Sequence, residues 1–160
     1  HQHKTNKAIT ATIEDATKSI AMLLLIIGGG GAFKQILIDG GVGKAVAQLF
    51  SGSSISPLIL GWLVAVILRV SLGSATVAAL TAAGLVAPLM TQAGIYPALM
   101  VIAIGSGSVA ASHVNDAGFW MFREYFDLTV KQTLLTWTML ETIIAVCGLG
   151  GVLALNAIFH

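Results

Sequence analysis

The sequence predicts an all-α membrane protein that combines transmembrane helices with a re-entrant helical hairpin and a broken helix. Of its 160 residues, 56% are hydrophobic and only 9% are charged, whereas soluble domains average about 25% charged residues. So few charges cannot cover a water-facing surface, which makes lipid the solvent for most of the chain. In addition, two apolar stretches are interrupted by Gly- and Ser-rich segments, at residues 71–76 and 105–108.

The two interruptions indicate a site as well as a fold. A peptide group that faces lipid without a hydrogen-bond partner is very costly, so broken backbone at membrane depth is tolerated only against protein or a water-filled cavity. Paired broken segments are also the best sequence pointer to the binding site of a secondary transporter. We therefore expect the two interrupted segments to share one polar pocket.

The first part of the chain predicts one span and one interfacial segment. Residues 1–18 form a polar lead-in, and the apolar run that follows predicts a span over residues 19–38. The four glycines at residues 28–31 indicate either a close helix–helix contact or a local unwinding. Residues 39–56 are milder in hydropathy and predict an interfacial loop with an amphipathic helix.

Residues 57–90 predict the re-entrant hairpin. Two apolar runs of about 14 residues flank the first interruption, and each reaches about 21 Å as a helix, less than the ~30 Å hydrocarbon core. The alternative is one tilted helix from Leu58 to Met90, which at ~50 Å overshoots the bilayer. A hairpin that enters and leaves on the same side fits the lengths better.

The last part predicts a broken helix over residues 97–122, interrupted at 105–108, and a full span over residues 132–159. Between them, residues 123–131 are charged and aromatic, which is typical of a water-facing loop. Trp137 stands near the start of the last span, where an aromatic anchor at the membrane interface is common. One basic group precedes the first span (Lys4, Lys7 and Lys18) and another precedes the last (Arg123 and Lys131). Because the hairpin does not cross the membrane, both groups fall on the same side, which the positive-inside rule places in the cytoplasm, although Lys34 and Lys44 lie in the opposite loop.

Composition and motifs exclude several classes of function. The net charge of +1 does not supply the basic face that nucleic acid requires. Cys147 is the single cysteine, so an intrachain disulfide and a thiolate metal cage are excluded. The glycine runs lack the spacing and the lysine of nucleotide-binding loops, and Ser106 has no reason to meet His113 as a catalytic base. We expect no enzyme activity, cofactor, metal or nucleic-acid partner.

Arg69 ends the first half of the hairpin, beside its tip. A central Arg costs roughly 2.5–3.5 kcal/mol in a spanning helix, so its charge needs compensation. One interpretation is a structural ion pair with Asp116 or Glu141. The other is a clamp on an anionic substrate such as a carboxylate, which a guanidinium matches with its planar two-donor fork.

Gly73, Ser74 and Thr76 stand where the second half of the hairpin begins. Free N–H groups and the positive dipole end of a helix attract anions there, and the hydroxyls add adjustable donors. Simple N-capping by Ser74 is the alternative interpretation. Capping and ligand binding are compatible.

His113, Asn115 and Asp116 form the densest polar cluster beside a break. Ionisable groups at membrane depth are candidates for a proton relay or a substrate site, and a histidine titrates near neutral pH. The alternative places the cluster at the water interface, with Asp116 capping a helix that runs through Phe122. Glu141, within the last span, is a further proton-site candidate or the partner of Arg69.

Four segments resemble the C-terminal part of the gluconate permease family: residues 73–78, 105–108, 112–120 and 135–143. The most specific of them is His-Val-Asn-Asp-Ala-Gly-Phe-Trp at residues 113–120, and the resemblance covers most of residues 19–159. It implies proton symport of sugar acids such as gluconate by a multi-pass protein of the bacterial inner membrane; relatives handle idonate, fructuronate or D-serine. It also implies an inverted-repeat architecture, of which residues 19–160 are the C-terminal repeat.

The resemblance also implies roles for the candidate residues and for partners. The carboxylate and hydroxyls of the substrate would lie between two groups: Arg69, Gly73, Ser74 and Thr76 on one side, and Ser106, Ser108 and Asn115 on the other. Proton coupling would fall to His113, Asp116 or Glu141. The expected partners are the sugar acid, a proton, the lipid bilayer, the N-terminal repeat of the permease and, in some assemblies, a second copy. The alternatives are a non-transporting membrane fragment or interaction subunit, and a uniport channel.

Overall fold

The computed structural model describes residues 6–41, 48, 55–90 and 95–159. All secondary structure in these ranges is helical, which confirms the all-α prediction. The predicted interfacial segment, residues 39–56, lies largely outside the described residues. The helices are α1 (Asn6–Asp39), α2 (Pro57–Leu72), α3 (Ala75–Met90), α4 (Pro97–Gly107), α5 (Ala117–Tyr125) and α6 (Val130–Phe159).

Helix α1 is longer than the span predicted at residues 19–38. It begins in the polar lead-in and continues through the glycines at residues 28–31 without interruption. The glycine run therefore does not unwind the helix. The same helix contacts α3.

Helices α2 and α3 form a helical pair joined by a two-residue turn. Pro57 opens α2 at its first position, where its fixed φ suits a helix start and its missing N–H costs nothing. The helix ends at Gly73, whose φ is +71° and whose N–H donates to the carbonyl of Arg69. The break is narrower than the predicted 71–76, because Ser71 stays helical and its hydroxyl donates to the Ile67 carbonyl at 2.8 Å. A re-entrant position of this pair in a membrane stays a prediction.

The sequence predicts the second break at residues 105–108, and the structure contradicts this for residues 105–107, because the break begins only at Ser108. Helix α4 continues through Gly107, and the non-helical segment occupies residues 108–116. The hydroxyls of Ser106 and Ser108 each donate to the carbonyl three residues earlier, at 3.0 and 2.8 Å.

The glycines in this part of the molecule serve close helix contacts. A Cβ on Gly107 would lie 2.6 Å from the carbonyl oxygen of Trp62 in α2, and a Cβ on Gly148 in α6 would lie 2.4 Å from the Cβ of Ser106. Small residues at helix contacts are typical of packing in membranes. The buried apolar core that these contacts surround contains Leu58, Leu60, Ala65, Ala82, Val86, Leu99, Met100, Ala103, Ile104 and Val152.

Helix α6 begins two residues before the predicted start of the last span. Among the described residues it is the one helix that is both long enough, at 30 residues, and apolar enough to cross a membrane; three apolar helical stretches at 57–72, 75–87 and 97–107 are shorter. Near its start, residues 134–138 form a π-helical turn. Such an insertion rotates the side chains that precede it relative to those that follow, and it is frequent at functional sites.

Candidate functional site

Arg69 lies in the last turn of α2 and is only 3% exposed. Its Nη2 forms an ion pair with Asp116 Oδ2. Of the two ion-pair partners considered from the sequence, the structure therefore selects Asp116. The Nε and Nη1 atoms of Arg69 are buried and have no hydrogen-bond partner within the described ranges. The guanidinium thus keeps most of its donors free at a buried position.

Asp116 accepts three hydrogen bonds. It is the N-cap of α5, and its Oδ1 accepts from the Gly118 N–H at 2.9 Å. Its Oδ2 accepts from Arg69 and also from the hydroxyl of Ser112. The capping role considered from the sequence and the ion pair are thus performed by one carboxylate. Every donor on it favours the ionised form.

Ser112 and Trp137 complete this cluster, and sequence reasoning gave neither a role in the site. Ser112 is 1% exposed, and its hydroxyl accepts from the indole N–H of Trp137 at 2.7 Å. Its carbonyl accepts from the hydroxyl of Thr138. Both donors stand in the π-helical turn of α6, so this turn directs two neighbouring side chains at one serine. We call Arg69, Ser112, Asp116 and Trp137 the polar cluster.

The two breaks touch through Asn115. Its side-chain amide donates to the carbonyl of Val70 at 2.8 Å, which is one of the carbonyls left without a helical partner at the end of α2. A Cβ on Gly73 would lie 2.2 Å from the carbonyl oxygen of Asn115, so the approach of the two segments requires glycine. The break after α2 thus meets the non-helical segment at residues 108–116, whereas neither contact involves residues 105–108, where the second interruption is predicted; a shared polar pocket stays a prediction.

The backbone beside the polar cluster is strained at one residue. Ala111 has a φ of +50°, a conformation that costs a non-glycine residue roughly 1–2 kcal/mol. Its N–H donates to the hydroxyl of Thr142 in α6 at 3.3 Å, and Thr142 itself donates to the carbonyl of Thr138 at 2.7 Å. Strain of this kind is stored mainly at functional sites.

Other predicted site residues lie around this centre. Ser74 caps α3, accepting from the Val77 N–H at 3.4 Å, and Thr76 is exposed in the first turn of that helix. The Nδ1 of His113 donates to the Ala111 carbonyl at 2.8 Å, since a carbonyl can only accept.

Glu141 is half-buried in α6 and has no ion pair in the part of the chain that the structure describes. Ser106 lies in the last turn of α4 and Ser108 is the C-cap residue that follows it, and the hydroxyls of both donate to local carbonyls. The structure therefore brings together Arg69, Gly73, Asn115 and Asp116. It forms no hydrogen bond, among the residues described, between that centre and the side chains of Thr76, Ser106, Ser108, His113 or Glu141.

Aromatic side chains pack against Trp137 and line an apolar cavity beside it. Its ring packs against Phe122 at a centroid distance of 4.9 Å. The two rings line an open apolar cavity of about 300 Å³ with Gly118, Met121, Tyr125 and Phe126. The polar cluster is therefore bounded on this side by apolar surface.

Comparisons with known proteins place the chain in a family. The model of the GntP family permease matches residues 1–158. The chain belongs to the GntP permease family. This confirms the resemblance to gluconate permeases, and because these proteins are permeases, it confirms that the chain is not part of an enzyme.

Individual relatives in the GntP permease family are close in sequence. The "Gluconate permease" of Bacillus subtilis (strain 168) is 60% identical over 95% of the chain, and the "High-affinity gluconate transporter" of Escherichia coli (strain K12) is 59% identical over 94%. The "Gnt-II system L-idonate transporter" of Escherichia coli (strain K12) is 55% identical over 98%. The chain spans about a third of the length of these relatives. No solved structure matches.

Proposed function

We propose that the chain forms the C-terminal portion of a multi-pass permease of the bacterial inner membrane, which carries gluconate or a related sugar acid together with a proton. Membership of the GntP family and the names of the relatives support transport of a sugar acid. The observation that carries the proposal is the state of Arg69. Its guanidinium is buried, one of its nitrogens pairs with Asp116, and the other two have no hydrogen-bond partner among the described residues.

Arg69 supplies the recognition of the carboxylate. A guanidinium binds a carboxylate through two parallel N–H···O bonds. Each such fork of Arg69 consists of Nη2, the nitrogen now paired with Asp116, and either Nε or Nη1, which have no partner among the described residues. Release of Nη2 by Asp116 therefore makes a complete fork available to the substrate. A neutral sugar of the same shape would leave these buried donors unpaired, which is a strong basis for selectivity.

The hydroxyls of the sugar acid require donors and acceptors around that carboxylate. On the hairpin side we propose that Gly73, Ser74 and Thr76, at and just before the start of α3, supply these donors and acceptors. On the opposite side we propose Asn115, Ser106 and Ser108. Asn115 and Gly73 already touch in the structure. The serine hydroxyls donate to local carbonyls but keep lone pairs that accept from a substrate hydroxyl.

Proton coupling follows from the need to keep the buried site at Arg69 electrically neutral. With Asp116 ionised, the buried pair is neutral. If a substrate carboxylate replaced Asp116 on Arg69, an ionised Asp116 would remain as an uncompensated negative charge, which is costly at a buried site. If Asp116 first takes up a proton, Arg69 and the substrate form the neutral pair instead. One proton is then bound for each anion.

His113 and Glu141 are the proposed groups that pass the proton to and from Asp116. His113 stands in the same non-helical segment, three residues before Asp116. Glu141 lies on α6, one helical turn beyond Trp137. The hairpin α2–α3 is proposed to be re-entrant, and the site to alternate between the two sides by rocking against the N-terminal repeat of the full permease. A homodimer is compatible with this arrangement.

The test uses the full-length permease in membrane vesicles with radiolabelled gluconate. Arg69→Lys keeps the charge and loses the fork, and Asp116→Asn removes the titrating carboxylate. We expect the first to lower uptake by at least tenfold, and the second to abolish accumulation driven by a pH gradient. Arg123→Lys is the matched control, because Arg123 at the end of α5 pairs only loosely with Glu124, at 3.7 Å. Unchanged uptake and pH dependence in both site variants would contradict the proposal.

Two further outcomes separate the alternatives. Uptake by the parent that a proton uncoupler does not affect would indicate a uniport channel. The chain spans about a third of its relatives, so we expect the 160-residue polypeptide alone to give no uptake. A full-length permease with no uptake of any sugar acid would instead favour a non-transporting interaction subunit.

A further inference from the structure

Trp137 connects the last helix to the proposed proton site through one serine. Its indole N–H donates to Ser112 Oγ at 2.7 Å, and Ser112 Oγ donates to Asp116 Oδ2. The series ends at Arg69, which also donates to Asp116 Oδ2. The described chain has two other tryptophans, and each donates to a backbone carbonyl instead: Trp62 to Ala145 and Trp120 to Val114.

The direction of these hydrogen bonds is fixed by chemistry. An indole N–H can only donate, whereas a serine hydroxyl has one proton and two lone pairs. Because Trp137 occupies a lone pair of Ser112, the hydroxyl proton is left for Asp116. Ser112 is therefore favoured as a donor to the carboxylate, and only one of its two lone pairs is left to accept from a protonated Asp116.

We infer that Trp137 is a positioning residue that sets the proton affinity of Asp116 by holding the Ser112 hydroxyl as a donor to it. The inference rests on the proposed proton coupling and adds to it a specific control element on α6. A donor to a carboxylate stabilises its ionised form, so Trp137 lowers the pH at which Asp116 takes up its proton and releases Arg69. The π-helical turn that carries Trp137 and Thr138 places both side chains on Ser112, so a movement of α6 changes the proton affinity of the site.

Other charged groups surround Asp116 and belong in any account of its titration. Arg69 on α2 contacts it directly. Glu141 stands on α6, His113 in the same non-helical segment, and Arg123 at the far end of α5. None of these is altered by a substitution at position 137 or 112, so the experiment isolates the hydrogen bond.

The first arm measures gluconate uptake against pH for the full-length permease. In Trp137→Phe the serine is free to rotate, and in Ser112→Ala the donor is absent. We expect Ser112→Ala to raise the pH midpoint of uptake by about one pH unit, since one hydrogen bond to a charged group is removed. Trp137→Phe should raise the midpoint by less, because Ser112 can still donate to Asp116 but is no longer held in that orientation. Ser112→Thr retains the hydroxyl and keeps the parent midpoint. The double variant shifts no further than Ser112→Ala, because Trp137 acts through Ser112.

Trp120→Phe is the matched control, since it removes an indole hydrogen bond to the same non-helical segment, at the Val114 carbonyl, that does not involve Ser112. Its midpoint should equal that of the parent. Should Trp137→Phe lower uptake without moving the midpoint, or match Trp120→Phe, Trp137 would have a structural role only and the inference would be wrong.

The second arm does not depend on transport. The full-length permease is labelled with 5-fluorotryptophan, and the ¹⁹F signal of position 137 is identified by its loss in Trp137→Phe. We expect this signal to titrate with pH in the parent and to be insensitive to pH in Asp116→Asn. A signal that does not titrate in the parent overturns the inference. If the ¹⁹F signal of position 137 changes with pH but the protein transports no sugar acid, the link from Trp137 through Ser112 to Asp116 would be supported and only the proposed function rejected.

Discussion

The turn at Gly73–Ser74 and the break at residues 108–116 lie side by side, but different interactions hold them. The turn is two residues long and is closed by backbone, through the positive φ of Gly73 and its N–H on the Arg69 carbonyl. The break is nine residues long and is held largely by side chains, several of them from α6. The proposed anion clamp, Arg69, stands at the first, and the proposed proton site, Asp116, stands in the second.

This difference has a functional consequence. A turn closed by backbone has no titratable group, so it presents the same shape at any pH. A break held by a carboxylate and hydroxyls changes its hydrogen bonds when the carboxylate binds a proton. We therefore expect the hairpin turn to be the fixed half of the site and residues 108–116 to be the half that responds to proton and substrate.

The largest expected effect comes from forcing the two breaks apart. Gly73→Ala places a Cβ 2.2 Å from the Asn115 carbonyl oxygen, at a φ of +71°. We expect a loss of about 2–5 kcal/mol in stability, from the left-handed conformation and the displaced backbone, and little remaining uptake. Thermal unfolding of the full-length permease in detergent measures the loss of stability, and uptake by membrane vesicles measures the remaining transport.

Gly105→Ala is the control for this substitution, because a Cβ there meets nothing within 4 Å. It should leave unfolding temperature and uptake near the parent values. If the Gly73 and Gly105 variants behaved alike, the contact between the two breaks would not be required for the site.

A smaller effect is expected from loosening the second break alone. Thr142→Val removes the hydroxyl that accepts from the N–H of Ala111, which leaves a strained residue with an unpaired donor. The expected cost is about 1–3 kcal/mol, and the pH dependence of uptake should broaden or shift as Ser112 and Asp116 relax. Thr136→Val serves as the control, because that exposed hydroxyl donates only to two carbonyls of its own helix, those of Gln132 and Thr133. Equal effects of the two would argue that α6 does not hold the break.

The comparison also shows which parts of this fold can be predicted from the local sequence. The hairpin turn was predictable because a glycine after an apolar run is a local signal for a helix end. The Gly- and Ser-rich residues 105–108 give the same local signal, yet the helix continues through Gly107. What differs is the backbone: Gly73 has a φ of +71°, whereas Gly105 and Gly107 do not have a positive φ. Gly107 instead allows the close approach of the Trp62 backbone in α2. Sequence does not show which helix will lie opposite, so a packing glycine was interpreted as a break.

The residues of the candidate site also fall into those that the sequence predicts and those that it does not. The pairing of Arg69 with Asp116 was foreseeable as one of two options, since a buried arginine needs a carboxylate and few were available. Ser112 and Trp137 were missed because they are 25 residues apart in the chain and meet only through the π-helical turn, which an apolar periodicity does not reveal. The available signal was the four-residue spacing of Ser112 and Asp116 within the string shared with the family.

The smallest expected effect on stability separates two roles of Ser74. Its hydroxyl accepts from the Val77 N–H at 3.4 Å, a long capping bond, so Ser74→Ala should cost only about 0.5 kcal/mol. If Ser74 also binds a substrate hydroxyl, the KM for gluconate should rise severalfold while the unfolding temperature barely moves. Ser71→Ala, whose hydroxyl donates to the Ile67 carbonyl within α2, should leave the KM unchanged. A parental KM in Ser74→Ala would restrict the residue to capping, and the fixed half of the site would then consist of Arg69 and the backbone at the start of α3.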